Sequence, residues 1–142
     1  MGDRGPSHTP AASFVHRIRV RYGEVDMQHV VFNAHYLAYC DDACESFVRA
    51  CGVRAMESGW DFMVKKAVVE WSGGATVGDE LAIAVGVSRW GTTSFDMRFA
   101  GAVDDRPVFE AVVTYVGVRH GTLEPIPPPP AVKDALAGGP PV

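Results

Sequence analysis

Residues 22–52 open Tyr22-Gly23-Glu24-Val25-Asp26-Met27-Gln28-His29-Val30-Val31-Phe32-Asn33-Ala34-His35-Tyr36-Leu37-Ala38-Tyr39-Cys40 and close on Gly52. One isolated acid, Asp26, stands on a short polar-then-apolar turn, and a long helical pattern begins just after it. Tyr36, Leu37, Cys40, Cys44, Phe47, Val48 and Cys51 recur at spacings of three and four, which makes one broad apolar stripe. Asp41, Asp42, Glu45 and Arg49 fall away from that stripe. Asn33 suits the N-cap, because its side-chain oxygen accepts from free N–H groups of the first turn. Gly52 supplies a left-handed stop. The pattern predicts a helix over 33–51. No other helix-length pattern precedes the tail, so the strands that follow have this one stripe to pack on.

Working outward, residues 15–22 alternate Ile18, Val20 and Tyr22 against Arg17, Arg19 and Arg21, a strand that ends at Tyr22. Its basic face is either a solvated surface or one that attracts phosphate. Residues 53–60 read as a connector. Strands are then expected over 62–71, 80–90, 94–103 and 107–119, in successive antiparallel connections, with turns at Ser72-Gly73-Gly74-Ala75, Val77-Gly78-Asp79, Gly91-Thr92-Thr93 and Asp104-Asp105. Leu81, Ile83, Val85 and Val87 share one face of their strand. Ala82, Ala84, Gly86 and Ser88 share the other, a small-residue face suited to close approach. The last strand is apolar on both faces, as a central strand is. The proline run at 125–130 cannot continue a sheet, and a short helix fits 131–136. A sheet with one apolar face and a helix with one apolar stripe must cover each other. The chain therefore reads as α+β, a five-stranded antiparallel sheet wrapped around one long helix. The organisation expected is a flexible segment over 1–13, a single domain over 14–122 and a Pro-rich tail over 123–142.

Length and composition set bounds. A chain of 142 residues is one domain by size, and 47% hydrophobic with 21% charged residues is ordinary for a globular chain. A net charge of −4 and a pI near 5.7 run against a nucleic-acid binder, which carries a basic footprint. No apolar run is long enough to span a membrane and no signal peptide opens the chain, which points to the cytoplasm. Cys40, Cys44 and Cys51 lie four and seven apart on the helix stripe and read as buried, small apolar residues. His29 and His35 flank the helix start near Asp26, but their spacing matches no zinc signature. Neither a metal nor a cofactor is expected.

The order of elements, together with Tyr22-x3-Asp26-x6-Asn33-x2-Tyr36, resembles the hotdog-fold acyl-CoA thioesterases, and most closely the 4-hydroxybenzoyl-CoA thioesterase family. Gly78-Asp79-Glu80-Leu81 and Gly91-Thr92-Thr93-Ser94-Phe95 fit the same pattern, and the resemblance covers about residues 15–120. Two departures stand out. Many members have glycine three residues after the acid, where this chain has His29. Some bacterial members have histidine where this chain has Asn33, so no catalytic imidazole is carried over to that position. A dehydratase of the same fold is disfavoured, because no Gly-Asp-x-Asn-Pro-x-His run is present.

The resemblance implies a thioester hydrolase. Asp26 would attack the carbonyl or activate a water, or else serve only as a turn residue bonded to loop amides. The backbone N–H of Asn33, at a helix N-terminus that favours negative charge, would hold the oxyanion. Tyr22 either packs, orients Asp26 or lines the acyl pocket, and His29 is a catalytic partner, a local hydrogen-bonding group or part of the pocket wall. For the CoA end the resemblance implies phosphate contacts near Arg89, Thr93, Ser94 and Arg119. Trp60, Phe62 and Trp71 are candidates to shape the acyl pocket. It also implies a homodimer with a continuous sheet, or a homotetramer, with each site built from two subunits. The substrate would be an acyl-CoA. A thioester of an acyl carrier protein is the alternative, and a non-catalytic acyl-CoA sensor the reading from another class.

Overall fold

The computed structural model describes residues 14–141; the segment expected to be flexible, 1–13, lies outside them. The elements are β1 (Phe14–Arg19), a one-turn 3-10 helix (Tyr22–Glu24), α1 (His35–Ala50), α2 (Ala55–Ser58), β2 (Trp60–Trp71), β3 (Glu80–Trp90), β4 (Ser94–Val103), β5 (Arg106–Arg119) and α3 (Pro130–Gly138). The five strands form one antiparallel sheet in the order β1-β3-β4-β5-β2. The α+β architecture is the one expected.

Alternation decides which side chains enter the core. Leu81, Ile83 and Val85 of β3, Phe95, Met97 and Phe99 of β4, and Phe109, Ala111, Val113 and Tyr115 of β5 are buried, and they meet Tyr36, Tyr39, Cys40, Ala43, Cys44, Phe47 and Val48 from α1. Each stripe removes the other's apolar surface from water, worth about 1.5–3 kcal/mol for each large side chain fully buried. Packing is close enough to exclude a methyl group. A Cβ on Gly101 would come within 2.3 Å of the Phe109 ring. Cys40 and Cys44 are buried on α1 as expected, and burial pushes each thiol up to about 12. They pack as apolar residues and are poor thiolates. Cys51, expected to be buried with them, is only partly buried, because the helix ends at Ala50 and leaves it in the cap.

Four expectations are corrected. The strands do not follow one another across the sheet. β2 pairs with β5 at the far edge, and the chain crosses from β2 to β3 over the two intervening strands. Periodicity gives the faces of a strand and not its neighbours, and the 72–79 segment is long enough to make the crossing. β1 stops at Arg19 rather than at Tyr22. Val20 turns into the core, and the Arg21 N–H donates to the Glu24 carboxylate at 2.9 Å, which draws the chain into the 3-10 turn. α1 starts at His35 rather than at Asn33, with Ala34 in the cap position and no side-chain cap bond. A turn closed by His35 N–H to the Phe32 carbonyl, 2.9 Å, occupies the place of the expected first turn. Residues 53–60 are not a plain connector, since they hold α2, and β2 begins at Trp60.

At the other end of the chain, the proline run leads into α3, which has proline at its first position, where a missing N–H costs nothing. Val132 and Leu136 of α3 are buried in the same core as α1. The segment read as a tail therefore contributes to the packing of the domain. Among the described residues no helix is long and apolar enough to cross a membrane.

Candidate active site

Residues 24–32 form a small hairpin that carries Asp26 at its tip. Val25 and Val31 make a bridge, Asp26 N–H donates to the Val30 carbonyl at 2.9 Å, and Phe32 N–H donates to the Glu24 carbonyl at 2.9 Å. The tip is a tight turn in which His29 N–H reaches back to the Asp26 carbonyl, 2.9 Å. Gln28 N–H donates to Asp26 Oδ1 at 2.8 Å, so one carboxylate oxygen is held by the loop, as the turn-residue reading requires. The other oxygen has no partner among the described residues.

The hairpin is fixed from outside on two sides. Val31 N–H donates to the Ala75 carbonyl at 2.9 Å, and the Thr76 hydroxyl donates to the His29 carbonyl at 2.6 Å. On the other side the Tyr39 hydroxyl donates to the buried Glu24 carboxylate at 2.9 Å. Burial raises the Glu24 carboxyl, but hydrogen bonds from Arg21 and Tyr39 outweigh it and hold the group below the ordinary carboxylate range. The Tyr39 hydroxyl is pushed up, first by burial and then by Glu24.

The departure at His29 has a backbone cause. His29 has φ +67°, the left-handed region that glycine adopts without strain. His is among the few other residues enriched there. Its imidazole is exposed and makes no hydrogen bond among the described residues, and the pocket is lined by its neighbours instead. His29→Gly is expected to leave the reaction rate within about twofold and to stabilise the fold by about 0.5–1 kcal/mol, by relieving the left-handed strain. Thermal unfolding and a rate measurement on the one variant check both.

Between this hairpin, the start of α1 and the end of β2 lies a pocket of about 420 Å³. Asp26, Asn33, Tyr36 and Trp71 line it, with Gly73 and Gly74 as its far wall. Tyr36 is buried and packs edge-on against Trp71, ring centroids 5.8 Å apart, and against Phe109 at 5.0 Å. Trp71 itself is 47% exposed, so it forms a rim open to solvent. Gly74 is required by proximity, since a Cβ there would come within 2.9 Å of Val30 Cγ1.

Asn33 lies at the leading end of α1. Its carbonyl accepts from Tyr36 N–H at 3.2 Å, while its own N–H has no acceptor among the described residues. The aligned peptides of the sixteen-residue helix add about half a positive charge at this end. Asp26 and Asn33 thus line one pocket at the positive end of α1.

Of the residues singled out from the sequence, Asp26, Asn33 and Trp71 come together here. Tyr22 does not. It opens the 3-10 turn, is 83% exposed and lines no part of this pocket. Arg89, Thr93, Ser94 and Arg119 gather at the other end of the sheet, where Trp60 pairs with Arg119 and Ser94 with Val116. β2 runs from Trp60 to Trp71, so the two groups lie at opposite ends of a strand no more than about 36 Å long. Arg89 is bound to Asp96 at 2.9 Å and Arg119 to Glu124 at 2.9 Å. The three arginines of the basic face are also engaged, Arg17 with Glu80, Arg19 with the Gly78 carbonyl and Arg21 with Glu24. Sequence reasoning passed over Glu24, Tyr39 and Thr76. Their one visible signal was Tyr36 and Tyr39 three apart on a helix, which puts two polar-tipped side chains on its buried side.

A second and larger cavity, about 920 Å³, lies between α1, α2 and the start of β2. Its walls are apolar at Val48, Val53, Trp60 and Phe62, with Asp41 and Glu45 on the helix side. Desolvation raises the Asp41 carboxyl.

Comparison with known proteins places this architecture. The thioesterase-like superfamily matches residues 20–136. Among curated proteins none matches. Solved structures with the same fold include a 1,4-dihydroxy-2-naphthoyl-CoA thioesterase from Synechocystis, 16% identical over 87% of this chain and 95% of that one, with a TM-score of 0.77. A gentisyl-coenzyme A thioesterase is 20% identical over 87% of this chain and all of its own, TM-score 0.79. The Dynemicin thioesterase is 24% identical over 87% and 94%, TM-score 0.77. The five-stranded antiparallel sheet packed on one long helix is the hotdog fold, and the chain belongs to the thioesterase-like superfamily, a family of thioester hydrolases.

Proposed function

We propose that this protein is an acyl-CoA thioesterase that hydrolyses its substrate in the Asp26 pocket. The observation that carries the reading is the Asn33 N–H, unpaired among the described residues and sharing a 420 Å³ pocket with the Asp26 carboxylate. A thioester carbonyl seated there points its oxygen at the helix end. The free oxygen of Asp26 then either attacks the carbonyl carbon, giving an anhydride that water opens, or takes a proton from an attacking water. In both routes negative charge builds on the carbonyl oxygen, where the Asn33 N–H and the helix dipole stabilise it. The products are the free acid and CoA thiol.

The pocket is small and lacks phosphate-binding groups of its own, and a second copy of the chain supplies what is missing. β2 is an edge strand in the monomer. Met63, Val64, Val68 and Trp71 are each about half exposed along it. A free edge of this kind presents unpaired N–H and C=O groups and is a template for pairing. Antiparallel pairing of β2 with β2 of a second copy sets the Trp71 end of one against the Trp60 end of the other. The 920 Å³ cavity and the group around Arg89, Ser94 and Arg119 then lie beside the first copy's Asp26. The acyl group would occupy the cavity, and CoA phosphates would approach the arginines.

The oxyanion donor is a backbone group, so its test removes an N–H. Asn33→Ala keeps the N–H and is expected to hydrolyse acyl-CoA within about threefold of wild type. Asn33→Pro deletes it at a position next to a helix start, where proline is tolerated. It is expected to lose about 10²–10³-fold in kcat. Thiol release by the two variants, with circular dichroism to confirm α1, makes the comparison. Equal rates would remove Asn33 from the mechanism.

A further inference from the structure

Glu24 is the one buried charged side chain among the described residues. Burying a carboxylate is unfavourable unless its acceptor sites are filled. Here they are filled. Oε1 accepts from the Arg21 N–H at 2.9 Å and from the Tyr39 hydroxyl at 2.9 Å, and Oε2 accepts from Arg21 Nη2 at 2.6 Å and Nε at 3.1 Å. Removing a charge of this kind in favour of a well-packed apolar residue is often neutral or stabilising in proteins. Stability alone is therefore a weak reason for a carboxylate at this place.

The backbone supplies a better one. The Glu24 carbonyl accepts from Phe32 N–H at 2.9 Å, which closes the base of the hairpin. Asp26 is two residues beyond Glu24 on one arm, and Asn33 is one residue beyond Phe32 on the other. Tyr39 belongs to α1, six residues past Asn33. The Tyr39–Glu24 bond thus ties the base of the hairpin to the helix that Asn33 leads into. None of Arg21, Glu24 and Tyr39 lines the Asp26 pocket.

We propose that Glu24 is the positioning residue of this site: it sets the Asp26 carboxylate and the Asn33 N–H at a fixed spacing, and Tyr39 and Arg21 lock it in place. The proposal rests on the reading of the pocket given above. Without the lock the hairpin swings on Phe32 relative to α1, and the two groups no longer meet the same carbonyl. A displacement of about 1 Å in such a pair costs up to about a hundredfold in rate.

Tyr39→Phe removes one hydroxyl and keeps the ring in the core. Glu24→Gln keeps the size and loses the charge. Two readouts separate positioning from general weakening. Amide hydrogen exchange needs no substrate: residues 25–34 are expected to exchange about tenfold faster or more in both variants, with α1 amides from 40 to 50 unchanged. In steady-state thiol release, kcat is expected to fall about ten- to a hundredfold with KM within about twofold. Should Glu24→Gln fail to fold, Tyr39→Phe alone decides. Unchanged exchange over 25–34, or faster exchange spread through the whole domain, overturns the proposal. So does an unchanged kcat, or a change confined to KM. If the wild-type protein hydrolyses no thioester, that result counts against the proposed reaction. The exchange readout then decides on its own whether Glu24 holds the hairpin.

Discussion

Asp26→Ala is expected to lower kcat for thioester hydrolysis by about 10²–10⁴-fold, the range contributed by a positioned general base or its equivalent. The fold should survive the change. Asp26 is only partly buried, and its side chain makes one hydrogen bond in the structure, from Gln28 N–H. The backbone bonds that close the hairpin, Asp26 N–H to Val30 and His29 N–H to Asp26, do not depend on the side chain. KM should change little, because in the proposed reading the acyl and CoA parts of the substrate bind away from Asp26. Asp26→Asn sharpens the test. Its amide oxygen still accepts from Gln28, so the turn keeps its geometry, but the charge is gone. Equal loss in both variants places the effect in the chemistry. Activity retained in Asp26→Asn and lost in Asp26→Ala would make Asp26 a turn residue only. Steady-state thiol release on both variants is the measurement.

The second large effect is expected at the edge of the sheet. Val64 and Val68 are 46% and 48% exposed and stand on opposite faces of β2, opposite Tyr115 and Val112 of β5. Lysine at both positions, in Val64→Lys/Val68→Lys, would place like charges on each side of a strand paired with its own copy. Like charges set across an interface cost several kcal/mol, which corresponds to about a thousandfold in the dimer constant. Within one chain both positions are about half exposed, Val64 on the wall of the 920 Å³ cavity, so the monomer should fold. Sedimentation is expected to give a species of twice 15.3 kDa for the wild type and of 15.3 kDa for the variant. Hydrolysis should be lost with the dimer, since the Asp26 pocket and the 920 Å³ cavity lie at opposite ends of one subunit. A monomeric variant with full activity would show that one chain holds a complete site.

The sequence carried the faces of the elements well and their surroundings poorly. The α1 stripe through Tyr36, Cys40, Cys44, Phe47 and Val48 and the alternation of β3 and β4 were legible, because a helix period and a strand period each mark one buried side; Leu37, read into the same stripe, is exposed, and Cys51 falls just past the helix. The turns at Gly91-Thr92-Thr93 and Asp104-Asp105 were legible from turn chemistry, and Asp104 takes φ +53° as such a hairpin asks. The place of β2 was not. Met63, Val64 and Val68 are apolar on both faces, which reads as a central strand, whereas β2 is an edge strand paired with β5 alone. Asp26 and Asn33 were visible because their spacing is local. Glu24 was not, since its meaning depends on Tyr39 fifteen residues later and on being buried. His29 stood out as a departure, and only its backbone angle explains why glycine is common there. Tyr22 lies outside the pocket for a related reason. A strand continued in register would have turned it inward, and the bond from Arg21 N–H to Glu24 ends that register first.

The most direct test of the account is release of free thiol by the purified wild-type chain from short, long and aryl acyl-CoAs, with an acyl carrier protein thioester alongside. Stoichiometric thiol and acid are expected from at least one acyl-CoA, at a rate that Asp26→Asn abolishes. Tight binding of acyl-CoAs with no thiol released from any of them would contradict it, and would mark the protein as a sensor built on the same fold.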